Sequence, residues 1–313
     1  MKVKIILIVL LASVNMSAQK SYALTLAQKN EIYNIEKNMK VVGLKMLYDT
    51  TQDDRLKAAR TYVKLLKDAL KVDNSFQYNF DSIPFMAKVM PEDSSFKIYT
   101  FQVILNGYTY RHYGCIQLNR KTLKILPLMD FSDTFSVTPQ KTLSNKNWLG
   151  AVYYKLLTKK IDKKDVHFLY GYDQNDALTD KKYIEAMWIE GDSIARFGMP
   201  VFEKTEKIFD PNALKEMFKT KVLYRYVLEY RKGGTLSIKY EKDKDMIIHD
   251  HIDPKDPKAK EYGYMKMPDG TYEGLKWYKT KWVWQNYVPI GDKETNEPIR
   301  PVPLKDKKEV RKY

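Results

Sequence analysis

The sequence predicts an α+β fold, mainly β: an N-terminal αα-hairpin over 24–72, then an antiparallel, meander-like β body over 76–290. Two observations carry that expectation. Apolar residues recur at helical spacing up to Leu70, and after Asn74 they give way to short alternating runs separated by turn residues. The 313 residues carry no repeat at a fixed period, so a propeller or solenoid has no support, and a sandwich and a closed barrel both fit the pattern.

Residues 1–18 read as a signal peptide. Lys2 and Lys4 form a basic start, Ile5 to Ala12 is apolar, and Ser17-Ala18 supplies small residues for cleavage. The apolar run falls short of the roughly 20 residues that span a bilayer. No later stretch is apolar enough to do so, hence the expectation of an exported protein, periplasmic, in the outer envelope or secreted. Cys115 is the only cysteine, which rules out an internal disulfide and a zinc site built on several thiolates.

The helical hairpin is spelled by Ile32, Ile35, Met39, Val42 and Met46, then by Leu56, Ala59, Val63, Leu66 and Leu70. Asp49 to Asp53 interrupts the period and offers N-caps for the second helix. Each stripe is about two heptads long, which favours packing on the body over a coiled coil; docking on a partner is the alternative role.

In the β body, Phe96–Leu105 and Tyr108–Leu118 flank Asn106-Gly107, a strong hairpin signal. A two-residue turn there would set Leu105, Val103, Phe101 and Tyr99 opposite Tyr108, Tyr110, His112 and Gly114. It would also set Gln102 against Arg111 and Ile98 against Cys115. His112 then lies among aromatics as a core or interface residue, and Cys115, with no basic neighbour, is an inert thiol. Leu123–Leu128, Trp148–Leu157, Val166–Tyr172, Lys182–Ile189, Val222–Tyr230, Leu236–Tyr240, Met246–His251 and Trp277–Trp284 read as further strands. Pro211–Phe218 reads as a short helix capped by Asp210, and Pro268-Asp269-Gly270 as a turn. Residues 291–313 are polar and proline-bearing, an irregular tail.

Charge bounds the partners. The chain carries +15, or +13 without Lys2 and Lys4, which suits anionic partners. The lysines are scattered among acids, and no block reaches the length of a basic binding tail, so nucleic acid is not an expected partner. Phosphate-cradling glycine loops and a Gly-x-Ser-x-Gly elbow are missing from the sequence. The one dense set of metal-ligand types is His249, His251 and Asp253. In a strand, His249 and His251 share a face, and Asp253 follows the turn. His249-Asp250-His251-Ile252-Asp253 resembles the His-x-His-x-Asp-His run of metallo-β-lactamase-fold hydrolases. It departs where that family has histidine and this chain has Pro254, and no histidine follows His251. Amidohydrolase barrels place their His-x-His early, not four-fifths along.

Twenty-four tyrosines and five tryptophans suggest a different role. In a regular strand Tyr278, Trp282 and Trp284 share one face with lysines between them, and such amphipathic rings suit interfaces and sugar stacking. With Gln102 and Arg111 they are the candidate ligand contacts. The leading expectation is a non-enzymatic envelope protein, without a cofactor, that binds an anionic or glycan polymer or a partner protein. The alternative is a hydrolase using a divalent metal at His249 and His251.

Several phrases in order, among them Asn74-Ser75-Phe76, Tyr110-Arg111-His112-Tyr113-Gly114, Phe197-Gly198-x-Pro200, Asp250-His251 with Pro254, and Pro268-Asp269-Gly270-Thr271-Tyr272, resemble a family of exported proteins of Gram-negative bacteria without a known function. The resemblance spans residues 74–272. It implies export and one integrated body, and it brings no catalytic residue.

Overall fold

The computed structural model describes residues 23–135, 137–210, 215–254 and 256–289. The expected signal peptide and C-terminal tail lie outside the described residues.

Two antiparallel helices come first, α1 (Leu26–Tyr48) and α2 (Gln52–Lys71). Thr25 caps α1 in a reciprocal box: its hydroxyl accepts from the Gln28 amide, and the Gln28 side chain accepts from the Thr25 amide. Thr51 caps α2 by accepting from Asp54 N. The buried stripe of α2 is rotated slightly from the expected one. Tyr62 is wholly buried, whereas Val63 is 40 % exposed.

A first sheet follows, β1 (Ala87–Val89), β2 (Phe96–Ile104), β3 (Tyr110–Leu118) and β4 (Lys124–Leu128), in sequential order. The second contains β5 (Leu143–Ser144), β6 (Val152–Ile161), β7 (Lys164–Asp173), β8 (Thr179–Glu190) and β9 (Ile194–Phe197), in the order β5-β9-β8-β7-β6. The third opens with β10 (Phe202–Asp210) and β11 (Lys215–Leu223). The chain then returns to the second sheet with β12 (Arg225–Arg231), which pairs β8. It completes the third with β13 (Ile238–Glu241), β14 (Met246–Pro254), β15 (Lys266–Tyr278) and β16 (Lys281–Gln285), in the order β11-β10-β16-β15-β14-β13. Pairing is antiparallel except between β10 and β16.

The layers stack as helices, first sheet, second sheet and third sheet, because strand alternation sends successive residues to opposite cores. Tyr99, Phe101 and Val103 of β2 join α1 and α2 in one core, while Phe96 and Ile98 face the second sheet in another. Leu169 and Tyr183 face that middle core, whereas Phe168, Tyr170 and Ile184 face the third sheet. The sandwich-or-barrel question resolves into stacked open sheets; none of the three closes.

Four local expectations change. The β2–β3 register is shifted by one residue: Gln102 opposes His112, Val103 opposes Arg111, and Tyr99 opposes Cys115. The loop is longer than two residues, because Leu105 N bonds Thr109 O while the Asn106 side chain accepts from the Thr109 amide and hydroxyl. The expected helix over Pro211–Phe218 is overturned where it is described, since residues 215–218 belong to β11, hairpin partner of β10. Residues 211–214 lie outside the described residues.

The expected strand Trp277–Trp284 reverses at Lys279-Thr280, so Trp277 opposes Trp282 and Tyr278 opposes Lys281. Lys279 takes the left-handed conformation (φ 56°) that this tight reversal requires without a glycine. Finally, Pro268-Asp269-Gly270 is no chain reversal but a bulge inside β15. Asp250 opposes Tyr272 and Ile252 opposes Pro268, so three residues of β15 sit against His251 alone, with Gly270 at φ 89°.

Candidate functional site

The bulge in β15 builds the most reactive-looking part of the molecule, at one end of the core between the second and third sheets. His249 and Glu273 are directly opposed on β14 and β15, and Tyr226 of β12 closes over them from the second sheet. His249 is buried. Its Nδ1–H donates to the Asp250 carbonyl (2.9 Å), which leaves Nε2 to accept from the Tyr226 hydroxyl (3.1 Å). Burial pulls its pKa down to about 4, with a smaller contribution from the Lys204 ammonium and His251, so the ring is neutral near pH 7.

Glu273 lies between the two imidazoles. Its oxygens are 3.9 Å from His249 Nε2 and 3.7 Å from His251 Nε2, contact without hydrogen bonding. Burial raises its carboxyl pKa, against the pull of the Trp284 indole, His251, Lys204 and Tyr226. His251 is half-buried, and its Nδ1 meets Asp269 Oδ2 at 2.7 Å, a contact that the bulge creates. Burial opposes ionisation of Asp269, but bonds from the Thr271 hydroxyl and amide and from His251 hold its carboxyl below the usual range. The Lys204 ammonium lies 5.2 Å from the centre of the Trp284 ring and completes the rim.

The expected metal set divides. His249 and His251 meet the same carboxylate, but both nitrogens of His249 are taken by protein oxygens. Asp253 is exposed, opposite Met267. Among the described residues no group of three or more His, Cys, Asp or Glu side chains is arranged to hold a metal ion. Glu273, Tyr226, Asp269 and Lys204 are the members that sequence reasoning missed. Only the neighbourhood of Pro268-Asp269-Gly270 pointed toward them, and it was read as a turn.

The expected aromatic set divides as well. Trp282 is wholly buried, 4.8 Å from Trp277 and 5.5 Å from Phe168 between ring centres. Trp284 shares its face, half-buried, whereas Tyr278 points to the opposite side and is 61 % exposed. Exposed rings gather instead before and at the start of β15. Tyr262 and Tyr264 have ring centres 5.6 Å apart and are 53 % and 40 % exposed, beside the exposed Met265 and Met267.

Gln102 and Arg111 are not brought together. Arg111 is paired with Asp133 at the surface. Gln102 points toward the second sheet, where its amide donates to Gln174 Oε1 (2.9 Å) beside the buried His112. His112 lies between two carboxylates, Nδ1 3.5 Å from Asp130 and Nε2 3.4 Å from Asp173, with the Trp148 ring edge-on at 6.1 Å. It is the core residue that the sequence suggested. A Cβ on Gly150 would come within 2.8 Å of both the His112 ring and Asp130, so that position admits only glycine. Cys115 has its thiol pushed up to about 12 by burial, as an inert thiol should.

Comparison with family models, with curated proteins and with solved structures finds no match. Among the described residues, no helix is long and apolar enough to cross a membrane.

Proposed function

We propose that the protein is a non-enzymatic exported component of the periplasm or outer envelope that binds an anionic or glycan polymer through an exposed aromatic and basic surface. The observation that carries this reading is the Tyr262–Tyr264 pair. Its rings are solvent-facing, close together and inclined by 41°, so that they offer two neighbouring faces to successive units of one chain-like ligand. Lys258, Lys260 and Lys266 belong to the same stretch, the Arg231 guanidinium reaches Met267 (4.0 Å), and these cations stand among the carboxylates of Asp253, Asp256, Glu261 and Glu229. Trp282, given that role from the sequence, serves the core instead. The signal-peptide character of residues 1–18 and the excess of basic residues support export and an anionic partner.

Affinity electrophoresis of the mature protein through gels containing an acidic polysaccharide or a neutral glycan tests this. Retardation should weaken with salt for the acidic polymer. The Tyr262→Ala/Tyr264→Ala variant should lose about tenfold in affinity, since two stacked rings contribute about 0.5–1.5 kcal/mol each, with its folding unchanged. Salt-independent retardation by the acidic polysaccharide, or a double variant that binds like the parent, would remove the proposal.

A further inference from the structure

A cavity of about 240 Å³ opens between the segment leading into β1 and the start of β2. Two lysines reach it, Lys88 from β1 and Lys97 from β2, and Asp81 stands in its wall. Lys97 is only 7 % exposed. Its ammonium donates to the Tyr78 carbonyl (3.1 Å) and to Asn79 Oδ1 (3.2 Å), and lies 5.1 Å from the centre of the Phe76 ring. The Lys88 ammonium donates to the carbonyls of Phe80 (2.7 Å) and Ile83 (3.3 Å). Each cation therefore has neutral oxygens for two of its three donors, and neither forms an ion pair among the described residues. Buried charges in proteins are ordinarily paired, because desolvation is costly without a counter-charge. Asp81 acts on Lys97 only at longer range, and burial still draws the Lys97 pKa down to about 8.

The rest of the wall is apolar. Met90 is half-exposed at the edge, and the Tyr99 hydroxyl is turned away to Gln117 (3.2 Å), so Tyr99 presents ring rather than donor, while the Val89 side chain packs with Ile98 in the core on the opposite face of the sheet. Two cations against one carboxylate leave room for a single negative charge.

We infer that this cavity is a binding site for a small monoanionic carboxylate with a short apolar tail, its carboxylate between Lys88 and Lys97 and its tail along Met90 at the edge. The site lies in the first sheet and the loop before it, and is independent of the Tyr262–Tyr264 surface. A second negative charge, as on inorganic phosphate, would meet Asp81 with no further cation to offset it. A carboxylate without a tail would leave Met90 uncovered and lose that burial.

The test is calorimetric titration of the mature protein at neutral pH with hexanoate, acetate and inorganic phosphate. Hexanoate should bind at least tenfold more tightly than either of the others. Lys97→Met should lower its affinity tenfold or more, and Asp81→Asn, which removes the opposing charge, should raise it several-fold. The Tyr262→Ala/Tyr264→Ala variant should bind hexanoate like the parent, which separates this site from the polymer surface. Hexanoate binding no better than phosphate, or Lys97→Met retaining the parental affinity, would overturn the assignment. If Lys97→Met does not fold, Asp81→Asn decides alone, and unchanged or weaker binding there overturns it equally.

Discussion

Arg225 and Tyr226 are neighbours on β12, point to opposite faces of the second sheet, and enter two polar clusters built on different terms. Arg225, wholly buried, donates through Nε to Glu185 (2.6 Å), through Nη1 to the carbonyls of Pro139 and Lys141, and through Nη2 to that of Phe197, each 2.8 Å. Glu185 also accepts from the Tyr153 hydroxyl, which accepts in turn from the Trp148 indole. Gly198 lies so close that a Cβ there would stand 2.7 Å from the guanidinium. On the other face, Tyr226 meets His249, and Glu273 lies 3.7 and 3.9 Å from its two histidines. The first cluster has spent its donors on fixed acceptors and can only hold the layers together. The second keeps slack between titratable groups, so its charge can change without unpacking the core.

The largest expected effect tests that division. Arg225→Met should destabilise by about 3–5 kcal/mol, because it leaves the Glu185 carboxylate buried without a counter-charge. The midpoint of urea unfolding measures it. Adding Glu185→Leu should recover a substantial part, since the cost comes from the orphaned charge rather than from lost attraction. A double variant no more stable than Arg225→Met would break the comparison.

The next effect belongs to the looser cluster and is read by pH. The folded-state pKa of His249 lies near 4, below its ordinary 6.5. The unfolded chain therefore takes up that proton first. Stability is full above about pH 6.5 and falls as pH drops from there toward 4, by on the order of 3 kcal/mol. Glu273 works the other way: its raised pKa favours the protonated folded state, so acid returns part of the loss. His249→Gln should flatten the fall between pH 6.5 and 4 in urea melts, and a slope identical to the parent's would refute the assignment.

How far these features could be read in the chain follows from the range of the interactions that set them. The helical hairpin was legible, since its spacing and the Thr51 cap of its second helix are decided within four residues, whereas the Thr25 cap of the first emerged only in the structure. The strands were legible as runs, but their pairing was not. The Asn106-Gly107 signal was sound, yet the side chain of Asn106 captured Thr109 and lengthened the loop, moving Gln102 from Arg111 to His112. A slip of one residue exchanges faces, which parted two candidate ligand contacts. Trp277 to Trp284 hid a reversal because Lys279 and Thr280 carry no turn residue of the usual kind. Of the candidate site, His249 and His251 could be seen. Glu273 and Tyr226 come from separate strands, and only the fold brings them there.

The smallest expected effect sharpens the contrast most. His251 is half-exposed, and Asp269 keeps the Thr271 amide and hydroxyl when the imidazole is removed. His251→Asn should therefore change stability at neutral pH by no more than about 1 kcal/mol, in the range of exposed pairs. It should nonetheless move the acid transition. The His251 charge helps to hold His249 down, so its loss should raise the His249 pKa, which makes the fall in stability smaller and ends it at a higher pH, with its start near pH 6.5 unchanged. NMR titration of the His249 ring reads this directly. An equivalent surface change near Arg225, such as Lys141→Gln, should shift nothing, because that guanidinium is held by the Lys141 carbonyl and not by its side chain. If His251→Asn leaves the His249 titration where it was, the two imidazoles are electrostatically separate, and the cluster is as inert as the one on the opposite face of the sheet.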